Sequence, residues 1–295
     1  MNISITGTLG AGKSSVCKIL QESGYDYISN GQIFREIAEE RKVSVIELNK
    51  IAETDASIDK MLDERSIQLG KERDHVVFDS RMAWHFVPHS FKVFLAANTN
   101  ETGRRVYEDN RAAEEYQSKE EAKNGLVNRQ SLEKKRFLDL YGVDYLNLSH
   151  YDLVIDTTHV SPEEVARKIL EQEIVFEQDA AQFPRAFLNP SNLYPTQGMQ
   201  KFSEEVLNQY LEGKLDRNED AVKAGILENC FAILEGHHRV LASAKCKDSF
   251  VFVHLSSIAD ISFPEKLVFH DFEEIGGFQY AGYPDCNEPL LIEYL

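Results

Sequence analysis

Residues 7 to 14 read Gly7-Thr8-Leu9-Gly10-Ala11-Gly12-Lys13-Ser14, the spacing Gly-x-x-x-x-Gly-Lys-Ser, directly behind the short apolar run Ile3-Ser4-Ile5-Thr6. A strand, a glycine-rich bend and a helix are implied in that order. The glycines let the backbone turn tightly enough to aim successive N–H groups at one point, Lys13 brings a point charge, and Ser14 offers a hydroxyl to Mg²⁺. Phosphate oxygens are what such a cradle suits. The helix behind it is legible as well, because Val16, Ile19 and Leu20 fall at helical spacing and Gly24 follows as a stop signal. Gly7, Gly10, Ala11, Gly12, Lys13, Ser14 and Ser15 are therefore expected to hold a nucleoside triphosphate, ATP, with Mg²⁺. A glycine turn without a ligand is the plainer alternative.

The chain has 295 residues, which exceeds the usual single-domain size, so two domains are expected. Its 32 basic residues against 49 acidic ones give a net charge of −17, which argues against nucleic acid or an anionic membrane as a partner. Phosphate recognition must then be local. The cysteines Cys17, Cys230, Cys246 and Cys286 are far apart, with no Cys-x-x-Cys spacing, and suggest neither a zinc ribbon nor a disulfide framework. No charged-then-apolar leader precedes the first strand and no apolar run reaches about 18 residues. A cytoplasmic protein with reduced thiols is the expectation.

From residue 1 to 173, strand-like runs at 3–6, 75–79, 91–95 and 153–156 alternate with helical stretches. That is the pattern of an α/β fold, a parallel sheet with helices on both faces. Ser161-Pro162-Glu163-Glu164 signs the start of the last helix with a cap residue, a first-turn proline and two acids. Residues 174–184 lose periodicity and read as a linker, and a second, smaller α+β domain is expected over 185–295. Its coarse order is an Asn189-Pro190 loop, a helix around 202–211, a strand at 231–234, a helix from about His238 and a strand at 250–255.

A triphosphate cradle serves kinases, GTPases, helicases and motors alike. The guanine-reading Asn-Lys-x-Asp is absent, and the second motif strand ends Phe78-Asp79-Ser80-Arg81 rather than in the paired acids of a motor ATPase. An arginine there suits an acceptor phosphate. Together, Ile28-Ser29-Asn30-Gly31-Gln32-Ile33-Phe34-Arg35, Asp79-Ser80-Arg81, Tyr141-Gly142-Val143-Asp144 and the stretch from Tyr151 to Thr157 make the first 170 or so residues resemble the cytidylate kinase-like family of nucleoside monophosphate kinases. The resemblance implies that Arg35 and Arg81 bind the acceptor monophosphate and that Ser29, Gly31 and Phe34 shape its cleft. The planar guanidinium fork is the physical reason for arginine at both places. Asp79 is expected near the acceptor and, with Ser14, near Mg²⁺; a salt bridge would explain it equally. Asn30, Asp79 in place of the commoner Glu, and Glu101-Thr102-Gly103 depart from the family pattern and leave the acceptor base open. Asp55 and Asp59 resemble a segment near the acceptor cleft, where either could read a cytosine amino group or pair with Arg81; a solvated helix start would account for both.

In such kinases the region from 100 to 136 forms a lid, and here it carries Arg104, Arg105, Arg111, Arg129 and Arg136. Phosphoryl transfer needs alignment and positive charge, and one well-placed arginine contributes ~10³–10⁵ in rate. Arg129 and Arg136, with Lys13, are the expected catalytic residues. Ion pairing along the helix with Glu114, Glu115, Glu120, Glu121 and Glu133 is the plainer reading of any one of these arginines.

Beyond residue 185, the segment Ala232 to Ala242 reads as a strand, a tight turn and a helix start, and resembles the ParB and sulfiredoxin superfamily. The resemblance implies a second nucleotide phosphate site at Glu235, Gly236, His237, His238 and Arg239. Sulfiredoxin's reactive cysteine has no counterpart there, since His237 occupies that part of the turn, and in relatives that phosphorylate free serine an acid at the place of Glu235 acts as base. A degenerate fold kept for packing or dimerisation is the alternative. The acidic, aromatic tail from Ser262, with Phe269, Phe272, Phe278, Tyr280, Tyr283 and Tyr294, would cover this domain or an interface in a homodimer. The leading expectation is an ATP-dependent kinase acting on CMP or dCMP. Its rivals are a kinase of a non-nucleotide metabolite and a nucleotide-sensing regulator.

Overall fold

A computed structural model describes residues 1–256 apart from 53–54, 56, 110–115, 196–202, 218 and 228–229. Strands β1 (Ile3–Gly7), β2 (Asp26–Ser29), β3 (Val76–Asp79), β4 (Phe91–Ala96) and β5 (Leu153–Asp156) run parallel in the order β2-β3-β1-β4-β5. The helices that connect them are α1 (Lys13–Glu22), α2 (Asn30–Glu40), α3 (Val45–Ala52), α4 (Ser57–Glu72), α5 (Ala83–Phe86), α6 (Thr99–Glu108) and α7 (Lys119–Tyr141). The alternation of side chains along each strand sorts them onto two buried faces. Ile3, Ile5, Val93, Leu95, Leu153 and Ile155 pack against Val16 and Leu20 of α1 and against Val165 and Ile169 of α8 (Pro162–Gln178). Phe94, Ala96 and Val154 point the other way, onto Trp84, Tyr145 and Tyr151. The α/β reading holds, with apolar residues on both sides of the central strands.

Local signals account for the helix starts. Ser29 Oγ accepts from the Gln32 amide at 3.1 Å to begin α2, and Ser161 Oγ accepts from the Glu164 amide at 3.2 Å to begin α8. Residues 174–184, read as a linker, are mostly helix: α8 continues to Gln178 and a 3₁₀ turn follows at Ala180–Gln182. The polar letters that break the apolar period are themselves buried. Gln172 and Glu173 are shielded from solvent, and Glu173 Oε2 accepts from the Tyr25 hydroxyl at 2.5 Å.

The sheet does not stop at that helix. Strand β6 (Arg185–Leu188) pairs parallel with β5, and β7 (Leu193–Pro195), β8 (Val222–Leu227), β9 (Cys230–Glu235) and β10 (Val251–Leu255) extend the same sheet in the order β6-β10-β8-β9-β7. This outer part is mixed, with β10 antiparallel to β6 and β8 antiparallel to β9. Helices α9 (Glu204–Leu211) and α10 (His237–Lys245) lie where helices were expected. Phe202 and the tail from Ser262 lie outside the described residues, as do Arg111, Glu114, Glu115 and Cys286. Cys17 is a buried free thiol and Cys246 an exposed one. Among the described residues no helix is long and apolar enough to cross a membrane.

Candidate active site

The glycine-rich bend sits where β1 runs into α1, and two of its glycines are required for different reasons. A Cβ on Gly7 would lie 2.3 Å from the Leu95 carbonyl oxygen, so close approach of β4 excludes a side chain. Gly12 caps α1 with φ +83° in open space, so backbone conformation alone asks for glycine. The first turn of α1 then opens into a cleft of ≈330 Å³. Residues 9–15 line one side of it, Asn30, Asp79, Ser80 and Arg81 another, and Val106, Leu126, Arg129 and Glu133 of the two following helices a third. Ser14 and Ser15 are exposed to this space, and Asp79 also accepts from the Tyr27 hydroxyl at 3.1 Å.

Positive charge is crowded here. Loss of water pushes the Lys13 amine down to about 7, the charge of Arg81 adding to the effect and Asp79 opposing it. Arg81 donates through Nε to Glu133 Oε2 at 2.9 Å and through Nη1 to the Gly7 carbonyl at 3.3 Å, with the Tyr145 ring beneath it at 6.0 Å. Arg129 reaches the other oxygen of the same carboxylate, Oε1, at 3.1 Å. Burial pushes the Glu133 carboxyl up, but the two guanidinium groups outweigh it and hold the carboxyl below its ordinary range. Arg81, Arg129 and Lys13 therefore converge on one cleft with one carboxylate between the arginines.

The other expected residues take different places. Arg136 donates to both oxygens of Asp59 at 2.7 and 2.6 Å on the exposed side of α7, so Asp59 pairs with Arg136 and not with Arg81. Asp55 accepts from the Ser57 amide at 2.9 Å, an ordinary helix start. Ser29 is occupied as the cap of α2, Phe34 packs half-buried on the core formed by Ile33 and Ile37, and Arg35 is exposed beside Gly31. These four are not among the residues lining the large cleft, whereas Asn30 is.

A second cleft of ≈190 Å³ adjoins the first at the bend, lined by Gly10, Ala11, Gly12, Ser15, Val16, Arg105, Val106, Asp109, Thr157, Val160, Pro162 and Val165. Arg105 donates through Nη2 to the Thr157 and Thr158 carbonyls at 2.6 and 3.0 Å, and the Thr157 hydroxyl is 3.0 Å from the Ala11 carbonyl. Sequence reasoning named Arg105 only as one basic residue of a lid and gave Thr157 no role. The signal was the Asp156-Thr157 ending of a strand that, in a parallel sheet, must end level with the glycine bend.

In the outer part of the sheet, Gly236 caps α10 with φ +98°, as the expected turn requires. The side chains around it are engaged: Glu235 pairs with Lys223 at 2.5 Å, His238 Nε2 accepts from the Ser203 amide at 2.9 Å, and Arg239 donates to the Asp220 carbonyl at 2.5 Å. His237 is buried. Among the described residues no group of three or more His, Cys, Asp and Glu is arranged to hold a metal.

Comparison with known proteins bears on residues 2–159, which match the model of the cytidylate kinase-like family. The cytidylate kinase of Sulfolobus acidocaldarius is 38% identical over 173 residues, 58% of this chain and 92% of the relative. That of Natronomonas pharaonis is 37% identical over 177 residues, covering 59% and 89%, and that of Thermoplasma volcanium 39% identical over 175 residues, covering 58% and 90%. With more than half its length matched and the glycine bend, Lys13 and Arg81 gathered in one cleft, the chain belongs to the cytidylate kinase-like family and is a phosphotransferase.

Proposed function

We propose that this chain transfers the γ-phosphoryl group of ATP to a nucleoside monophosphate, with CMP or dCMP as the acceptor. The observation that carries the reading is the convergence of Lys13, Arg81 and Arg129 on the ≈330 Å³ cleft beneath the α1 amides. In this reading the amides and Lys13 cradle the β- and γ-phosphates, while Arg81 takes the acceptor phosphate after exchanging the Glu133 carboxylate for it. Both partners are anions, and a phosphate offers the guanidinium fork more than the single carboxylate bond it makes with Glu133. Arg35, Ser29, Gly31 and Phe34 would border the acceptor's sugar and base, with Arg35 swinging in from the surface. Ser14 and Asp79, an alcohol and a carboxylate facing the same cleft, suit Mg²⁺ as hard oxygen ligands, direct or through water. Held there, the metal would supply positive charge that offsets the charge of the phosphates. The ≈190 Å³ cleft, with Arg105, Val160 and Pro162 among its walls, suits the flat base of the donor.

Coupled ADP release with Mg·ATP and CMP, dCMP, UMP, AMP, GMP, dTMP or free serine tests this directly. Turnover with CMP or dCMP well above the rest supports the reading, and no stimulation by any monophosphate overturns it. A second phosphate site at Glu235–Arg239 would require Arg239 to leave the Asp220 carbonyl, and stimulation by serine alone would bring that site forward.

A further inference from the structure

Besides the β5–β6 pairing, the segment beyond the family match meets the kinase core at the end of β5. The turn Asn189-Pro190-Ser191-Asn192 lies against the end of β5, where Asp156 is buried. Asp156 Oδ1 accepts from the Thr158 amide at 2.9 Å and from its hydroxyl at 2.5 Å. Its other oxygen accepts from the Asn189 amide at 3.2 Å and from Asn192 Nδ2 at 2.6 Å. Asn192 Nδ2 also lies 2.7 Å from the Thr158 hydroxyl oxygen, and Asn192 Oδ1 accepts from Asn98 Nδ2 at 3.3 Å. Asn98 is in turn the cap of α6, its Oδ1 accepting from the Glu101 amide at 2.8 Å. Asp156, Thr158 and Asn192 are all buried, so the bonds among them are made away from water.

The loop held in this way is the wall of the ≈190 Å³ cleft. Thr157 follows Asp156 directly, bonds to the Ala11 carbonyl of the glycine bend and takes Arg105 on its own carbonyl. Val160 and Pro162 complete the same wall. A buried carboxylate needs several donors, and removal of one lets the loop that supplies the others shift. Residues 2–159 contain Asp156 and Thr158 but neither Asn189 nor Asn192.

We propose that Asn192 is a positioning residue for the donor nucleotide, so that the C-terminal segment completes the donor cleft of the kinase. Asn192 touches no substrate; it acts through Asp156 and Thr158, which fix the loop against which the donor base rests. The proposal rests on reading that cleft as the donor's. One consequence is selectivity between the substrates, because Arg81, Arg129 and Glu133 of the acceptor cleft bond to one another, whereas Asn189 and Asn192 bond to Asp156 and Thr158.

The test uses the full chain and measures Mg·ATP and CMP binding separately by calorimetry, with melting temperature alongside. Asn192→Leu keeps the size of the side chain and removes the amide; it is expected to weaken Mg·ATP binding ~10-fold while CMP binding changes by less than about twofold. Asp156→Asn, which turns one acceptor oxygen into a donor facing N–H groups already aimed at it, is expected to weaken Mg·ATP binding at least as much as Asn192→Leu, with CMP binding again nearly unchanged. Unchanged Mg·ATP binding in Asn192→Leu overturns the proposal. So does equal weakening of ATP and CMP together with a lowered melting temperature, which marks a purely structural role. If Asn192→Leu is insoluble, Asn192→Ser, which keeps a single donor, is read by the same criteria. A wild-type chain that binds no Mg·ATP takes down the donor reading as well, which separates that failure from the failure of Asn192 alone.

Discussion

Arg81 donates to Glu133 at 2.9 Å across the cleft, so the arginine proposed to bind the acceptor phosphate already holds a carboxylate from α7. Both side chains are mostly shielded, at 16% and 22% exposed, and the pair is therefore more than a surface ornament. A phosphate that displaces Glu133 exchanges one charged bond for another. For Arg81→Ala, the loss of a charge-assisted bond of about 1.5–3 kcal/mol should raise the acceptor KM roughly 10- to 100-fold, with the KM for ATP nearly unchanged. Arg81→Lys should recover only a minor part, because an ammonium cannot form the fork. Steady-state kinetics with each substrate varied in turn checks both, and an unchanged acceptor KM in Arg81→Ala would remove the residue from that role.

The Lys13 amine, pushed down to about 7 by its burial, would give ATP binding a definite pH dependence. Phosphate needs the charged amine and raises its pKa again. Below pH 7 the amine is already protonated and binding is at its strongest; above it, binding must take up a proton. The affinity for Mg·ATP should therefore fall between pH 7 and 9 by as much as ~10-fold per pH unit, until the bound-state pKa is passed. Calorimetry in buffers of different ionisation enthalpy reads the proton uptake directly. In Lys13→Met both the uptake and most of the affinity should vanish.

The two glycines of the bend should separate steric crowding from backbone strain. Gly12→Ala meets open space and bears only the left-handed conformation, about 1–2 kcal/mol. Gly7→Ala forces a Cβ to 2.3 Å from the Leu95 carbonyl and must shift β1 or β4, so its loss of stability should be clearly the larger. Urea unfolding of the two variants gives the order, and a Gly7→Ala chain as stable as Gly12→Ala would contradict the packing described.

The parts of this site that the sequence disclosed are those written in short, local patterns. The spacing from Gly7 to Ser14, the cap at Ser161 and the apolar strands at 3–6, 91–95 and 153–156 each depend on neighbours within a few residues. What it could not disclose are partnerships across the chain. Arg136 and Asp59 are 77 residues apart, and Asn192 and Asp156 are 36 apart. Nothing in their spacing fixes which carboxylate meets which donor. The helical nature of 174–178 was hidden for a related reason: Glu173 breaks the apolar period yet is buried by a tertiary bond to Tyr25. Strand β6, Arg185 to Leu188, is four residues long and begins with a charge, and it is a strand because β5 and β10 flank it.

Arg129 and Arg136, equal candidates by sequence, are separated by what they hold. Arg129 already shares Glu133 with Arg81 at the cleft, while Arg136 is bound to Asp59 on the outside and is about half exposed. An exposed pair of this kind contributes about 0–1 kcal/mol, so Arg136→Ala and Asp59→Asn should each leave the melting temperature almost unchanged. If Arg136 releases Asp59 to reach the transferring phosphoryl group, Arg136→Ala should lower kcat by ~10³ with little change in either KM, and Asp59→Asn, which frees the arginine, should not lower kcat. Arg129→Ala, by contrast, should also disturb the acceptor KM, because it withdraws one of the two partners that fix Glu133 and through it the Arg81 fork. A common kcat loss in Arg136→Ala and Asp59→Asn would instead mean that the pair itself, by fastening α7 to α4, is what the reaction needs.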